Sequence, residues 1–436
     1  MAEEILLDYL LDQPNLPATN VETQVKALLK INASDSIRAS SSQFRAPTHL
    51  CLVVDVSSSM SDQDLRELRT AACRVVDTLQ PGDVLSLIAF QSVVYEVIQS
   101  VPIDAATDRE SIKAKINVIE HYRGGGTDMA YALTKAEHQF NTVSNKGLTR
   151  KIVVLTDGRV DGIEENCLKV AGELSGRGIS IDGLGFGKEF DYKFMQRLVA
   201  ASNGFTSKID RPEDISKVFA ERVENVTNAI ANNVRLRLSF TADVRAGRGY
   251  RYSPEMLFLG NIRLPGEQRH IDVTVGSIEK DKEYSYLVTF TVPQRAVGHM
   301  RAIKAELFYD IPALNIKNGS SQQSIVLTYT DDPDEATVFN GEVERAFDEV
   351  EIGRMVDELE KAIEHKDHKR TSMFFDVLSK RYNELGDADM AKHYQELKKR
   401  YVDEGHLSQE EMNYNRHRST QKKEGGVKLV DASSFI

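Results

Sequence analysis

Cysteine is scarce in this chain of 436 residues: three in all, Cys51, Cys73 and Cys167. The count is odd and each lies in an apolar or helical stretch, which argues against a disulfide-stapled fold and for free buried thiols. Basic residues are in deficit too, 55 Lys and Arg against 66 Asp and Glu, for a net charge of −11. General nucleic-acid binding rests on basic patches, so that class is set aside. No run approaches the ~18 apolar residues of a membrane-spanning helix. The start, Met1-Ala-Glu-Glu, lacks the basic-then-apolar order of a secretory signal. Without secretion, the sequons at Asn32, Asn225 and Asn318 carry little weight. These absences predict a soluble, cytoplasmic protein with no membrane or nucleic-acid partner.

What the chain does have is oxygen at three particular places. Asp55-Val-Ser57-Ser-Ser59 closes an apolar run that begins at Cys51; Gly124-Gly-Gly-Thr127 and Val153-Val-Leu-Thr-Asp157-Gly158 follow. Each cluster falls at the end of an expected strand or in a loop. Ser and Asp serve ordinary turns as well, where they cap loose backbone groups, so any one cluster is a weak signal. Together they offer two carboxylates and three hydroxyls, a donor set suited to a hard divalent cation. Magnesium favours six oxygens, keeps several waters and is seldom caged by protein alone. Such an ion would keep a position for a ligand from outside.

This constellation resembles the metal-ion-dependent adhesion site of von Willebrand factor A domains: Asp-x-Ser-x-Ser, then Thr in a Gly-rich loop, then Asp followed by Gly. The five matching positions are Asp55, Ser57, Ser59, Thr127 and Asp157. The resemblance implies that the serines and the threonine coordinate the ion directly or nearly so, and that the aspartates act partly through water. It implies Mg²⁺, with Mn²⁺ or Ca²⁺ as alternatives, and a partner protein whose acidic side chain completes the shell.

The fold class expected is α/β, a doubly wound Rossmann-like domain over 48–231. His49 to Val56 reads as a buried parallel strand, short and apolar without alternation. Asp62 to Leu79 repeats apolar residues at helical spacing until Gln80-Pro-Gly-Asp83 stops it. Strands are expected at 84–90, 94–101, 151–156, 179–186 and 206–209, with helices at 109–119, 129–142, 164–174, 192–201 and 212–231. Alternating strands and helices predict a mainly parallel sheet, whose ligands bind at the carboxyl ends of strands. Gly183-Leu-Gly185-Phe-Gly187-Lys188 looks like a phosphate loop. It lacks the Ser or Thr after Lys and the Walker spacing, so a tight turn is expected.

Alternating strands recur outside this domain, at Val234–Phe240, Ile271–Val275, Tyr286–Phe290, Ala302–Tyr309 and Ser324–Tyr329, and upstream at Val25 to Ile31. Half-buried antiparallel strands of this kind predict a β-sandwich. A lone upstream strand must find a sheet, so residues 23–47 are expected to join 232–335 with the α/β domain inserted between them. This layout resembles inter-alpha-trypsin inhibitor heavy chains and their relatives. Residues 1–22 are assigned to an N-terminal extension, 341–402 to a helical region packed on the sandwich, and 403–436 to a flexible tail. His365 and His368 have charges around them and no Cys nearby, which argues for solvated residues over a zinc pair.

The functional expectation is a non-enzymatic module, an adaptor or scaffold that binds its partner through the bridging ion. A metal-dependent hydrolase of the phosphoryl type is the alternative class, and an accessory subunit of an AAA+ ATPase machine is a variant of the binder reading. An Asp-x-Asp phosphatase needs a second carboxylate where Ser57 stands, and a serine hydrolase wants Gly-x-Ser-x-Gly with a placed His. Neither is present at the first cluster.

Overall fold

The computed structural model describes residues 4–18, 21–39, 46–144, 147–158, 164–187, 190–209, 211–227, 229–264, 269–279 and 282–420. Strands β1 (Ile5–Leu11), β2 (Asn15–Pro17) and β3 (Thr23–Ala33) and a short helix α1 (Asp35–Ala39) come first. The α/β region runs β4 (Thr48–Asp55), α2 (Asp62–Thr78), β5 (Val84–Phe90), β6 (Val94–Pro102), α3 (Arg109–Ile116), α4 (Met129–Gln139), β7 (Thr149–Thr156) and α5 (Glu164–Gly176). It continues through β8 (Ile179–Phe186), α6 (Tyr192–Ala201), β9 (Thr206–Ile209) and α7 (Ile215–Thr227). Its six strands form one sheet in the order β6-β5-β4-β7-β8-β9. All neighbours are parallel except the edge strand β6, which returns antiparallel to β5.

The absence of alternation in β4 has a direct cause. Leu50, Leu52 and Val54 pack with α2, α3 and α7 on one face, while Cys51 and Val53 pack with α4, α5 and α6 on the other. Both faces are dry, so every position from Leu50 to Val54 is apolar. All three cysteines are free thiols, Cys51 and Cys167 buried and Cys73 partly exposed.

The chain then enters β10 (Ala229–Phe240), β11 (Arg245–Ser253), β12 (Leu257–Asn261), β13 (His270–Glu279), β14 (Tyr284–Val292), β15 (Gly298–Ile311) and β16 (Ile316–Thr330). With the first three strands they form two five-stranded sheets, β1-β3-β14-β11-β12 and β13-β10-β15-β16-β2. Val25, Ala27, Leu29 and Ile31 of β3 point into the core between them. The α/β domain is therefore inserted in an antiparallel sandwich, since β3 pairs with β14 across more than 240 intervening residues. Ala46 N–H bonds the Ala229 carbonyl at 3.3 Å, so the two chain crossings lie side by side.

Four short or long helices follow the sandwich before the last one: α8 (Pro333–Ala336), α9 (Gly341–Glu364), α10 (His368–Glu384) and α11 (Ala388–Glu404). Helix α9 lies on the outer face of the first sheet, where Val343, Ala346 and Val350 meet Leu28, Tyr250 and Leu287. Lys26 and Lys30 reach Glu344 and Glu342 of that helix, each at 2.5 Å.

Three expectations need correction. Residues 5–17, assigned to an extension, build β1 and β2: β1 pairs along its length with β3, and β2 pairs in parallel with the end of β16. Leu10 of β1 faces outward yet is covered at the α9 contact, so β1 shows little alternation and was hard to read as a strand. The helix expected over 212–231 is a 3-10 turn at Pro212–Asp214 followed by α7, and Ala229 already belongs to β10. Residues 403–420, assigned to a flexible tail, contain a further helix, α12 (Gln409–Thr420). Its buried residues are polar: Asn413, Asn415, Arg416, Ser419 and Thr420. A helix that buries polar side chains leaves no apolar stripe to detect.

Candidate metal centre

Asp55 ends the central strand β4, Asp157 follows the end of its neighbour β7, and both carboxylates lie at the carboxyl edge of the sheet. Asp55 is fully buried, and both of its oxygens are engaged. Oδ1 accepts from the Ser57 backbone N–H at 2.8 Å; Oδ2 accepts from the Thr156 hydroxyl at 2.6 Å. The first contact curls the chain after β4 so that both serine side chains gather on one side. Ser57 Oγ and Ser59 Oγ are 2.8 Å apart, and Ser59 Oγ donates to Asp157 Oδ1 at 2.8 Å. Four of the five expected ligands thus form one continuous hydrogen-bonded set. Ser57 and Asp157 are buried, while Ser59 is exposed, so the set opens to solvent on that side.

Thr127 arrives on a separate loop, pinned to the same edge by its backbone. Gly124 N–H bonds the Val56 carbonyl at 3.2 Å, and Ser57 and Gly124 form an isolated parallel bridge. Gly125 accepts from Ser92 N–H at 3.1 Å, and Asp128 N–H bonds the Gln91 carbonyl at 2.9 Å. Glycine is needed at 124 because a Cβ there would sit 2.7 Å from the Gln91 side chain. Thr127 itself is buried. Asp128, not Thr127, caps α4, its carboxylate accepting from Tyr131 N–H at 3.0 Å.

Burial raises the Asp157 carboxyl to about 6, and the Asp55 charge adds to the rise while the Ser59 hydrogen bond opposes it. A cation placed between the two carboxylates reverses both of the raising effects. The donors are all oxygen and their two negative charges balance a divalent ion, which fits a hard cation such as Mg²⁺ or Ca²⁺. Sequence reading did not foresee Thr156 as the group that orients Asp55. Its hydroxyl stood inside the quoted Thr-Asp-Gly segment, but a strand-end Thr has no distinguishing pattern.

Arg123 donates to Asp62 Oδ1 at 2.7 Å and to the Met60 and Ser58 carbonyls. It fastens the Ser-rich turn to the Gly-rich loop. Arg159 and Asp161 lie outside the described residues. Asp64 completes a capping box with Ser61 at the start of α2. The glycines that looked like a phosphate loop serve packing and turning. A Cβ at Gly183 would collide with Met195, one at Gly185 with Phe190, and Gly187 has φ +83° beside the Asp157 carbonyl; Lys188 lies outside the described residues. His365 Nδ1 meets the Lys361 carbonyl and His368 Nδ1 the Tyr401 hydroxyl, so the two imidazoles serve separate contacts.

Comparison with known proteins agrees with the fold. Residues 49–221 match the family model of the von Willebrand factor type A domain. An uncharacterized protein of Synechocystis sp. is 24% identical over 327 residues, covering 70% of this chain and 71% of that protein. Inter-alpha-trypsin inhibitor heavy chain H3 of Rattus norvegicus is 26% identical over 206 residues, which is 44% of this chain but only 22% of the heavy chain. Among solved structures, a von Willebrand factor type A protein from Catenulispora acidiphila superposes with TM-score 0.74 at 19% identity, covering 89% of each chain. The ArnB paralog VWA2 from Sulfolobus acidocaldarius superposes with TM-score 0.58 at 14% identity, over 96% of this chain and 98% of that one. At these identities the two structures establish shared fold, and their coverage extends it through the sandwich and the helices. Residues 49–221 of the chain carry a von Willebrand factor type A domain.

Proposed function

We propose that this protein is a metal-dependent interaction module, an adaptor that holds a partner through a divalent cation bound by Asp55, Ser57, Ser59, Thr127 and Asp157. The observation that carries this reading is the single hydrogen-bonded set formed by Asp55, Ser57, Ser59 and Asp157 at the sheet edge, open to solvent at Ser59. The ion would supply positive charge and coordination positions that the protein leaves to an outside oxygen. An acidic side chain of a partner is the natural occupant. The protein's own residues hold the donors in place: Thr156 orients Asp55, the Arg123–Asp62 pair joins the two loops, and the Gly-rich loop presents Thr127.

A binder fits better than a hydrolase. Ser57 and Ser59 hydrogen-bond each other and Asp157 rather than an imidazole, and the Asp55 oxygens are spent on Ser57 and Thr156. The base that a serine meets in these contacts is the Asp157 carboxylate, which the proposed ion would engage, so neither serine is paired with a base left free for proton abstraction.

The test is capture of partner proteins by the immobilised full chain in Mg²⁺ and in EDTA. The expected result is a partner retained in Mg²⁺, released by EDTA, restored on adding the ion back, and lost in Thr127→Ala with the fold intact by circular dichroism. A partner held equally well in EDTA would move recognition to the sandwich or the helices and overturn the proposal.

A further inference from the structure

A cleft of about 810 Å³ lies at the opposite edge of the central sheet from the oxygen cluster. One wall is the amino ends of β7 and β8, with Arg150 and Gly178. The other is sandwich: Asn232 and Asn233 of β10, Gly276 of β13, and the turn from β15 into β16 with Asp310 and Lys317. The volume is that of a site for a metabolite-sized ligand.

The wall chemistry narrows the ligand. Arg150 and Lys317 reach the cleft from its two sides, and among the described residues neither has a carboxylate partner. Arg150 spends one N–H on the Arg177 carbonyl, which leaves further guanidinium donors. The cleft's one acidic side chain is occupied: Asp310 accepts from Asn233 Nδ2 at 2.7 Å and from Asn318 N–H at 2.9 Å. Positive charge therefore goes unanswered here, in a protein whose net charge is −11. About half of the other lining residues carry amides or hydroxyls, some paired with one another, as Asn203 is with Ser175 at 2.7 Å and Thr149 with Asn232 at 2.9 Å. Such groups pair with hydroxyls in either direction, donating or accepting.

Local backbone shape adds a second observation. A Cβ at Gly178 would lie 3.3 Å from Asn233 Oδ1 and 3.4 Å from Arg150 Nη2, so an amide oxygen and a guanidinium border one small recess. Asn233 is in the left-handed region, φ +52°, where β10 breaks register with both β13 and β15. Bulges of this kind re-aim a side chain out of the ladder.

We propose that this cleft binds a small polyhydroxylated anion, a sugar phosphate or a sugar acid, with Arg150 and Lys317 taking the anionic group and Asn233 a hydroxyl. Polymeric nucleic acid is too large for the cleft, and its two cations without carboxylate partners favour an anion over a neutral apolar ligand. The site is separate from the oxygen cluster and needs no ion there.

The experiment is titration calorimetry of the full chain with glucose 6-phosphate, glucuronate, glucose and inorganic phosphate. The phosphate and carboxylate arms distinguish the two forms of the anion. At least one sugar anion should saturate the protein, binding about tenfold or more tighter than glucose or phosphate alone. Lys317→Ala, at an exposed side chain, should weaken that affinity about tenfold, and Arg150→Ala at least as much. Asn233→Gly keeps the left-handed backbone while removing the amide, and should cost a few-fold. No saturation by either sugar anion up to about 10 mM, equal affinity in Lys317→Ala, or phosphate alone binding as well as the sugar phosphate would each overturn the proposal.

Discussion

Arg222 is buried between two carboxylates, Asp182 at 2.6 Å and Glu279 at 2.5 Å, where α7 of the A domain meets β13 of the sandwich. Lys151 joins Asp182 at 3.1 Å, and Lys151, Arg222, Arg251 and Lys282 all stand within 5.7 Å of the Phe205 ring. Burial would push Glu279 up, but Arg222, Lys282 and Lys151 outweigh it and bring it from its ordinary 4.5 down to about 2. A carboxyl depressed by folding stabilises the protein fully above its unfolded value and loses that contribution as pH falls toward the folded one. Glu279→Gln should therefore be destabilising at neutral pH, with the gap from wild type closing between about pH 4.5 and 2; urea midpoints measured across that range check it. At the oxygen cluster the expected effect is chiefly on binding, although Asp55→Ala also strips a partner from the Ser57 N–H and the Thr156 hydroxyl, at a cost of about 1–3 kcal/mol. Asp55→Ala or Asp157→Ala leaves half of a divalent charge uncompensated, so Mg²⁺ binding by calorimetry should vanish while the melting profile keeps its shape. Unchanged affinity in both variants would remove these residues from the site.

Elements carry the next level of cooperation. Strand β3 lies between β1 and β14, and five of its side chains enter the sandwich core. Deleting residues 1–36 strips two strands from one sheet and β2 from the edge of the other, exposing that core to water. The truncated chain is expected to melt well below the full chain by calorimetry; equal melting temperatures would mean that the sandwich stands without its upstream strands. Helix α12 docks by different physics. Arg416 is buried against Glu360 at 2.5 Å and Asp357 at 2.7 Å, and Asn413 donates to the Phe190 carbonyl at 2.5 Å. Removing one member of a buried ion pair leaves the other uncompensated, typically at about 3–5 kcal/mol. Lys193 still reaches Glu360 at 3.4 Å, so Arg416→Ala is expected to cost toward the lower end of that range in urea denaturation, a loss that no exposed tail arginine would produce.

At the scale of the whole molecule, the A domain is joined to the sandwich through its two chain crossings and through the charge cluster around Phe205. Excising residues 46–231 keeps every proposed metal ligand but removes Glu279 and Lys282. Lys151 and Arg222 then share Asp182 alone, so the group keeps its surplus positive charge while Arg222 loses its second carboxylate. The fragment is expected to bind Mg²⁺ within about threefold of the full chain, yet to melt at lower temperature. Restoring stability by Arg222→Met, which removes the surplus charge at similar volume, would tie the loss to electrostatics rather than to missing contacts.

The five oxygen donors and the alternation of strands and helices were legible in the sequence because both are local patterns. A strand buried on both faces must be apolar throughout, as Leu50 to Val54 are, and a turn that gathers hydroxyls must place them a residue apart, as Ser57 and Ser59 are. The likeness to A domains rested on those same residues. Tertiary structure alone decided the rest. Residues 5–17 became strands only through partners elsewhere in the chain, and Ala229 left its expected helix for a sheet pairing. Helix α12 is held by buried polar contacts that no periodicity announces, and Arg123 ties two loops together through Asp62, 61 residues away in the chain. Thr156 acquired its role from a carboxylate 101 residues away. Local patterns follow from backbone geometry and the sidedness of burial. Partners distant in sequence are set by how whole layers pack, and that information resides in no single stretch of the chain.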